Sequence, residues 1–221
     1  MKVSVIIPTL NESQRLRKTL PTIGNAAEVI VADGGSTDGT RDVAAGLGAR
    51  VVRTAPGRGL QMDAGASVAG GDVLVFLHAD TRLPERWLES IEEALEDRKV
   101  VAGGFTLSVD SPGALLRLVE WFANARSRLF KVLYGDQAMF VRKEVFLSVG
   151  GFRRLPLLED VDCGKRLKKA GRVVLLKDRV LTSPRRWERT GVVRNTALNG
   201  AILALYYLGV PPERLYNWYY K

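Results

Sequence analysis

Two residues that could do chemistry, His78 and Asp80, directly follow the apolar run Val73 to Leu77. Residues two apart on an extended chain point to the same side, so both side chains should face one rim of a sheet. Mg²⁺ takes one or two carboxylates together with phosphate oxygens of a substrate, and Mn²⁺ also accepts imidazole. We therefore predict that Asp80 holds a divalent cation. His78, the single histidine, is either a catalytic group or a structural one.

A glycine-rich loop runs from Asp33 to Thr40 after a second apolar run. Its glycines let the backbone approach a ligand closely, and Ser36, Thr37 or Asp38 can cap the helix that should follow. Asp33 ends the strand, where its carboxylate can accept hydrogen bonds from a base or a ribose. Taken alone, such a loop is more often an ordinary turn. Neither a dinucleotide fingerprint nor a phosphate loop is present, so chemistry of those two kinds is not expected.

Three carboxylates, those of Glu159, Asp160 and Asp162, gather at the start of a predicted helix. One interpretation is structural, because negative charge at the amino end of a helix interacts favourably with the helix dipole. The other is catalytic, because crowded carboxylates raise one another's pKa and so tune a general base towards neutral pH. The pattern leaves both interpretations open.

Positive charge is concentrated in the last third of the chain. The formal net charge is +9, and the segment Lys165 to Arg189 has ten Lys and Arg against Asp178 and Glu188. Nucleic acid, an anionic membrane surface or a phosphorylated substrate would suit this field, and so would an ordinary solvated surface.

These groups need a scaffold, and the first hundred residues predict one. Apolar, β-branched runs typical of buried parallel strands alternate with segments of helical spacing, as in βαβ units. The predicted strands are Val3 to Ile7, Ala27 to Ala32, Ala49 to Val52 and Val73 to Leu77. The loops at their carboxyl ends should line one rim where ligands bind. Those loops are Pro8 to Glu12, Asp33 to Thr40, Thr54 to Gly59 and His78 to Thr81.

The remaining chain alternates less regularly, and we expect it to complete the same α/β domain. The predicted elements are a helix over Trp87 to Arg98, a strand over Val100 to Val109, a helix over Leu115 to Phe130, a strand over Ala138 to Val141, a helix over Val161 to Ala170, a strand over Val173 to Leu176 and a helix over Val192 to Leu208. We predict a single domain over 1–221, with a nucleotide-binding half at about 1–100 and an acceptor-side half at about 101–221.

Composition and the lone cysteine suggest where the protein works. Apolar residues are 46% and charged residues 26% of the sequence, as in globular proteins. Cys163 cannot form an internal disulfide, no secretory leader opens the sequence, and no window reaches the roughly 20 apolar residues that span a bilayer. We therefore expect a cytoplasmic protein, either free or peripheral on the inner face of the membrane.

The motifs together resemble those of family 2 glycosyltransferases of the GT-A fold. Pro8 to Glu12 is similar to that family's P-x-x-N-E, Asp33 to Thr40 to its D-G-S-x-D-G-T with one extra glycine, His78 to Asp80 to its D-x-D, and Glu159-Asp160 to its E-D pair. More narrowly, Tyr134 to Gln137, Glu159 to Val161 and Arg185 to Arg189 resemble a small bacterial subgroup found beside radical-SAM and selenium-domain genes. The resemblance implies a Rossmann-like, mostly parallel sheet flanked by helices, in a single domain.

The same resemblance implies roles for particular residues. The catalytic base would be Asp160, supported by Glu159, and the metal ligand would be Asp80, for Mn²⁺ or Mg²⁺. The nucleotide-binding residues would be Pro8, Leu10, Asn11, Glu12, Asp33, Gly34, Arg58, Asp63, His78 and Ala79. The contacts to donor sugar, diphosphate or acceptor would be Gly104, Asp136, Gln137, Arg185, Arg186 and Trp187. Each of these last residues has a structural interpretation beside the functional one.

The implied reaction inverts configuration: an acceptor oxygen attacks the anomeric carbon of a nucleotide sugar, UDP favoured, while the nucleoside diphosphate leaves. His78 departs from the first aspartate of D-x-D, and Ser183 to Trp187 keeps only the end of the Q-x-x-R-W motif, so processive polymer synthesis is not expected. The alternatives are a sugar-1-phosphate nucleotidyltransferase, whose glycine- and arginine-rich first loop is absent, and a non-catalytic basic module that binds anionic lipid or nucleic acid.

The partners expected on this basis are a nucleotide-sugar donor and an unidentified small or lipid-linked acceptor, without nucleic acid. Membrane contact is predicted through the basic segment Lys165 to Arg189, the apolar stretch Ala201 to Leu208 and an aromatic tail ending in Tyr220. The alternative is that the apolar stretch packs on the sheet or forms a homodimer contact.

Overall fold

The protein folds around one eight-stranded sheet, as shown by a computed structural model that describes residues 1–24 and 27–220. The strands, numbered β1 to β8 in chain order, are Val3–Thr9, Glu28–Asp33, Arg50–Arg53, Val73–Phe76, Thr81–Arg82, Val100–Val109, Met139–Arg142 and Arg172–Thr182. Their order in the sheet is β3-β2-β1-β4-β7-β6-β8-β5. The strands β3, β2, β1 and β4 run parallel to one another. The strand β7 lies between β4 and β6 and is antiparallel to both.

Ten α-helices accompany these strands in the described part of the chain. They are α1 Ser13–Thr19, α2 Thr40–Gly46, α3 Arg58–Val68, α4 Trp87–Glu96, α5 Ala114–Phe130, α6 Lys143–Ser148, α7 Glu159–Ala170, α8 Arg185–Thr190, α9 Val192–Tyr207 and α10 Pro212–Tyr220. None of them is both long and apolar enough to cross a bilayer.

The side-chain alternation of the strands divides the core into two layers. Val5 and Val75 point to one face of the sheet, where Leu16 of α1 and Ile91 of α4 pack. The intervening residues of the same strands point to the other face and meet the helices α3, α6 and α7. Because both faces are covered, β1 and β4 are mostly apolar on both faces, which is the pattern that predicts a parallel sheet.

The predicted strands and long helices agree with the structure to within a few residues, apart from β8. The sequence pattern ends this strand at Leu176, but the strand continues to Thr182. It does so because Arg179 to Thr182 pair with β6 and Thr182 also pairs with β5. The extension matters for the site, since it delivers Ser183 and Arg185 to the carboxyl ends of the parallel strands. The short helices α6, α8 and α10 lie beyond the predicted elements.

Candidate active site

A cavity of about 350 Å³ opens where β1 and β4 end and β8 delivers α8. The predicted site residues that line it are Pro8, Leu10, Glu12, Arg58, His78, Ala79, Asp80, Asp136, Arg185, Arg186 and Trp187. The others that line it are Thr9, Gln61, Thr182, Ser183, Asn195 and Asn199. Loops far apart in sequence therefore converge at one rim, as the parallel sheet requires.

Two carboxylates in this cavity share one guanidinium. The Arg185 Nη2 atom lies 3.3 Å from Glu12 Oε1 and 3.4 Å from Asp80 Oδ2. Burial and the nearby Glu12 carboxylate raise the pKa of Asp80, while Arg185 opposes that rise. No group of three or more His, Cys, Asp or Glu within residues 1–24 and 27–220 is arranged to hold a metal unaided. A cation here would draw on one or two protein carboxylates and need further oxygen ligands from a substrate.

The glycine-rich loop is held by hydrogen bonds to the carboxylate of Asp33, its first residue. Asp33 is 1% exposed, and its carboxylate accepts hydrogen bonds from the backbone N–H groups of Gly35 and Ser36 and from the Ser36 hydroxyl. Asn11 joins the same unit, because its Oδ1 atom accepts a hydrogen bond from the Thr37 N–H at 2.9 Å. Asp33, Asn11 and Gly34 line neither this cavity nor the one that adjoins it, so their predicted contacts with a nucleoside stay predictions.

A second cavity of about 170 Å³ adjoins the first, between the start of α7 and the helices α9 and α10. Five residues line both cavities: Arg58, His78, Asp136, Arg186 and Asn199. The residues that line only the second are Arg126, Tyr134, Gly135, Leu157, Leu158, Glu159, Asp160, Val161, Ile202, Leu203 and Tyr219. One end of this cavity is thus charged, and the other is formed by aliphatic and aromatic side chains.

The three acidic residues at the start of α7 have three different environments. Asp160 lines the second cavity, with Oδ2 accepting from the Gly135 N–H at 2.6 Å and Oδ1 from the Val161 N–H at 2.8 Å. Glu159 is buried beside Arg58, with 3.2 Å between Oε1 and Nε. Asp162 lines neither cavity and pairs with Arg166 at 2.8 Å. The structural interpretation therefore fits Asp162, while Asp160 faces the cavity.

Burial shifts the pKa values of two carboxyl groups next to Asp160. For both Asp136 and Glu159, burial is the largest cause of a raised pKa and the Asp160 carboxylate adds to it. Arg126 partly offsets the rise at Asp136, and Arg58 does so at Glu159. Crowding of carboxylates was the basis of the catalytic interpretation, and it is present here.

His78 sits at the junction of the two cavities in its neutral form. Burial, followed by the positive charges of Arg58 and Arg186, lowers the pKa of His78 to about 3. Its Nε2 atom is buried and has no hydrogen-bond partner in the described structure, as is true of Trp187 Nε1 and Asn195 Nδ2. Buried polar atoms are nearly always paired. Three buried nitrogen atoms on residues of the first cavity are therefore available to pair with a ligand or with water.

Because the sequence has one histidine, its titration can be followed without ambiguity. We expect the NMR signals of the His78 imidazole to titrate with a midpoint far below 6.5, the value for the unfolded chain. The unfolded state then binds the extra proton first, so stability falls as the pH drops below 6.5. His78→Gln should show a smaller loss of melting temperature between neutral pH and about pH 5 than the parent does. A midpoint near 6.5 in the folded protein would contradict this environment.

Backbone strain is concentrated around the two cavities. Among residues 1–24 and 27–220, four non-glycine residues have positive φ, and three of them adjoin the site: Asn11 at 57°, Ala138 at 46° and Leu158 at 64°. Such conformations cost of order 1–3 kcal/mol each and persist only where the surroundings impose them. They lie in the P-x-x-N-E loop, just after Gln137 and just before Glu159, so the strained peptides and the predicted motifs coincide.

Three predicted contacts lie behind the cavities instead of on them. The Asp63 carboxylate accepts a hydrogen bond from the Phe152 N–H at 2.9 Å and lines neither cavity. Gln137 is buried, and its Oε1 atom accepts from the Ser127 hydroxyl at 2.9 Å. Gly104 is buried against Gln137, because a Cβ there would meet the Gln137 carbonyl oxygen at 3.1 Å. None of the three lines either cavity, and their predicted contacts with a ligand stay predictions.

The structure also adds residues that no motif indicated. The Gln61 side chain donates to the carbonyl oxygens of Thr9 and Ala32 and so ties the ends of β1 and β2 together beneath the first cavity. Asn195 and Asn199 enter from α9. Their spacing of four residues in a mostly apolar helix is the sequence signal that would have indicated a polar face.

Solved structures of similar fold were found for most of the chain. S. aureus TarS superposes with a TM-score of 0.68 at 19% identity, covering 90% of this chain and 65% of that one. Glucosyl-3-phosphoglycerate synthase from Mycobacterium tuberculosis, in complex with Mn²⁺, UDP and glucosyl-3-phosphoglycerate, gives a TM-score of 0.50 at 22% identity, covering 80% and 70%. This likeness confirms the predicted GT-A fold.

A family model identifies the family, and sequence relatives agree with it. Dolichol-phosphate mannosyltransferase of Pyrococcus furiosus is 35% identical over 115 residues, which are 47% of this chain and 33% of that protein. Glycosyltransferase AglE of Haloferax volcanii is 27% identical over 188 residues, 76% of this chain and 62% of that protein. The chain thus spans less than two thirds of either relative. The family model described as Glycosyl transferase family 2 matches residues 4–155, more than half of the chain, and the chain therefore belongs to glycosyl transferase family 2.

Proposed function

We propose that the chain transfers a sugar from a nucleoside diphosphate sugar, UDP favoured, to a hydroxyl of a small or lipid-linked acceptor, with inversion at the anomeric carbon. The observation that carries the proposal is the pair of adjoining cavities. Strand-end loops line the first, Asp160 lines the second, and His78 and Asp136 line both. A donor in one cavity and an acceptor in the other would meet at these shared residues.

The donor would occupy the first cavity. The loop Pro8 to Glu12 would border its nucleoside, while Arg58, Arg185 and Arg186 would pair with its diphosphate. Support comes from the family and from the similar fold of a synthase solved with UDP. About 1–100 would then supply most of the donor half of a single domain, and about 101–221 the acceptor half.

A divalent cation, Mn²⁺ or Mg²⁺, fits beside Asp80. The Arg185 guanidinium already lies between the Asp80 and Glu12 carboxylates, so the position attracts positive charge. Two carboxylates leave coordination positions for diphosphate oxygens, as in Mg²⁺ sites completed by substrate. When bound, the cation would offset negative charge on the departing diphosphate. Support for Mn²⁺ comes from the synthase of similar fold, which was solved with that ion.

Asp160 would accept the proton of the acceptor hydroxyl. Two backbone N–H groups, those of Gly135 and Val161, hold its carboxylate in place at the cavity wall. A base positioned in this way raises the nucleophilicity of the attacking oxygen. The guanidinium groups around the first cavity stabilise the leaving diphosphate, so no second protonated acid is needed.

The nucleotide specificity can be tested with the purified protein. We expect UDP sugars to raise the melting temperature more than GDP, CDP or dTDP sugars do, and Mn²⁺ to increase the effect. Product analysis by NMR would then show an inverted anomeric linkage. If no nucleoside diphosphate sugar stabilises the protein with or without metal, the proposal fails, and a non-catalytic basic module becomes the better interpretation.

Gly135 lies close to His78 and Asp160, so a larger residue at this position tests sterically where the acceptor binds. A Cβ at this residue would stand 3.0 Å from His78 Nε2 and 3.1 Å from Asp160 Oδ2. We expect Gly135→Ala to keep UDP affinity but to lower kcat/KM for the acceptor by about tenfold to a hundredfold, because an oxygen displaced by one methyl group attacks poorly.

A matched glycine controls for the added methyl group. Gly113 has φ −65°, and a Cβ there would meet only the Ser111 hydroxyl oxygen at 3.6 Å. Gly113→Ala should leave kcat/KM unchanged. Equal activity of the Gly135→Ala and parent enzymes would place the acceptor elsewhere.

A further inference from the structure

The helix α5 exposes apolar side chains and buries polar ones, which is the reverse of an ordinary surface helix. Six of its apolar side chains are half exposed or more, whereas three of the four side chains that it buries are polar. The exposed ones are Leu115 at 56%, Leu118 at 51%, Trp121 at 63%, Phe122 at 55%, Leu129 at 75% and Phe130 at 54%. Isolated exposed apolar residues are normal, but a contiguous aromatic and aliphatic face marks a site of interaction.

The polar inner face has a structural cause. From Thr106 to Val109, β6 pairs with β8, while its pairing with β7 is confined to Ala102 and Gly103. Side chains of α5 take up the backbone groups left at this edge: Asn124 accepts from the Leu107 N–H at 2.8 Å and donates to its carbonyl at 2.9 Å. Glu120 accepts from the Val109 N–H. Hydrogen bonds therefore hold α5 in place, and its apolar face remains for something else.

Positive charge surrounds the carboxyl end of this apolar face. A groove of about 580 Å³ beside it is lined by Arg128, Lys131, Arg172 and Lys177, and by no acidic residue. Arg128, Lys131 and Lys177 form no ion pair with any residue of 1–24 or 27–220. Cations next to exposed Trp, Phe and Leu are the combination that binds an anionic bilayer surface.

We propose that the outer face of α5 docks on an anionic lipid bilayer, with Trp121, Phe122 and Leu129 entering the interface and the cationic groove meeting headgroups. Charge favours lipid over a second copy of the chain. A second copy of this face would add further Arg and Lys and no acidic residue from the lining of the groove, and would leave its cations unpaired. The docking surface therefore differs from the C-terminal one predicted from the sequence.

The C-terminal stretch is partly used in packing. Ile202 of α9 is 3% exposed and packs with Leu157 and with Leu215 of α10. The proposed surface is connected to the site through Arg126 of α5. This residue lines the second cavity, and its guanidinium lies 3.5 Å from the centre of the Tyr134 ring. A docked enzyme would hold this cavity near the lipid surface, which suits a lipid-linked acceptor. That last consequence rests on the proposed function, whereas docking itself does not.

Flotation of the purified full chain with vesicles tests the docking without donor, acceptor or metal. We expect the parent to float with vesicles of equimolar phosphatidylglycerol and phosphatidylcholine, and far less with phosphatidylcholine alone. Trp121→Ser/Phe122→Ser should reduce partition at least about tenfold, because two aromatic side chains no longer enter the interface. Arg128→Gln/Lys131→Gln should reduce it about thirtyfold on anionic vesicles, and added salt should do the same.

A matched pair of exposed apolar residues on the C-terminal side is the control. Val193 is 70% exposed and Leu208 is 81% exposed. Val193→Ser/Leu208→Ser should float as the parent does, and circular dichroism should show all variants folded. The proposal is overturned if the parent stays at the bottom of the gradient, or if the control pair loses binding while the α5 variant keeps it. It is also overturned if light scattering finds a dimer that Trp121→Ser/Phe122→Ser dissociates.

Discussion

Replacing Asp160 by Asn is expected to leave UDP affinity near that of the parent and to lower kcat by about 10²–10⁴-fold, the usual contribution of a general base. The amide keeps the shape of the carboxylate at the wall of the second cavity but cannot accept the acceptor's proton. Steady-state turnover and calorimetric titration with UDP measure the two quantities separately. The split between binding and turnover is the essential result, because loss of the fold would reduce both.

Two neighbouring carboxylates make the assignment specific. Asp162→Asn removes a charge from the same first turn of α7, but Asp162 pairs with Arg166 and lines neither cavity, so we expect a lower melting temperature with near-parent turnover below it. Asp136 lines both cavities and is the alternative base. If Asp160→Asn retained near-parent turnover while Asp136→Asn abolished it, the base would be Asp136.

Candidate site residues at the carboxyl ends of strands could be predicted from the sequence, because the periodicities of strands and helices are local sequence patterns. Apolar runs such as Val3 to Ile7 mark buried parallel strands, and parallel strands place their following loops at one rim. The segments Pro8 to Glu12 and His78 to Asp80 are therefore predicted from the strand pattern, whereas Glu159-Asp160 is predicted from the start of a helix and from the family's E-D pair. Most side chains of these segments line the cavities.

The wall opposite those strands could not be predicted in the same way. Asn195 and Asn199 reach the cavities only because the chain after β8 folds back over the rim, and that path depends on the packing of α9 against Leu157, which is distant in sequence, and against α10. Arg126 belongs to no motif, and it contacts Tyr134, the first residue of the Tyr134 to Gln137 motif, through stacked side chains. Residues whose role arises from such tertiary contacts leave little trace in local sequence patterns.

The helix α5 shows a further limit of periodicity. An apolar stripe from Leu115 to Phe130 predicts an amphipathic helix correctly, yet it does not say which side is buried. Here Glu120 and Asn124 satisfy backbone groups at the edge of β6, and that requirement outweighs the usual preference for an apolar inner face. The orientation becomes predictable only when the unpaired strand edge is known.

Removal of the Asp80 carboxylate should have opposite effects on UDP binding with and without metal. In the parent, we expect Mn²⁺ to tighten UDP binding, and in Asp80→Ala we expect that gain to fall by at least about a hundredfold, since even outer partners of metal ligands are worth 10–100-fold. Without metal, UDP should bind the variant as tightly as the parent or more tightly. One of the two carboxylates that repel the diphosphate is then absent, and Arg185 loses a competing partner.

Both effects are measured by calorimetric titration of the protein with UDP, once in the presence of Mn²⁺ and once in the presence of EDTA. Asp42→Ala is the matched control, because Asp42 is an exposed carboxylate at the start of α2 that lines neither cavity. Asp80→Asn separates charge from shape, and it should behave like Asp80→Ala if charge on the carboxylate is what holds the cation. A folded Asp80→Ala protein with the full Mn²⁺-dependent gain would show that the cation is held elsewhere. Glu12, which shares the Arg185 guanidinium, would then be the carboxylate to replace next.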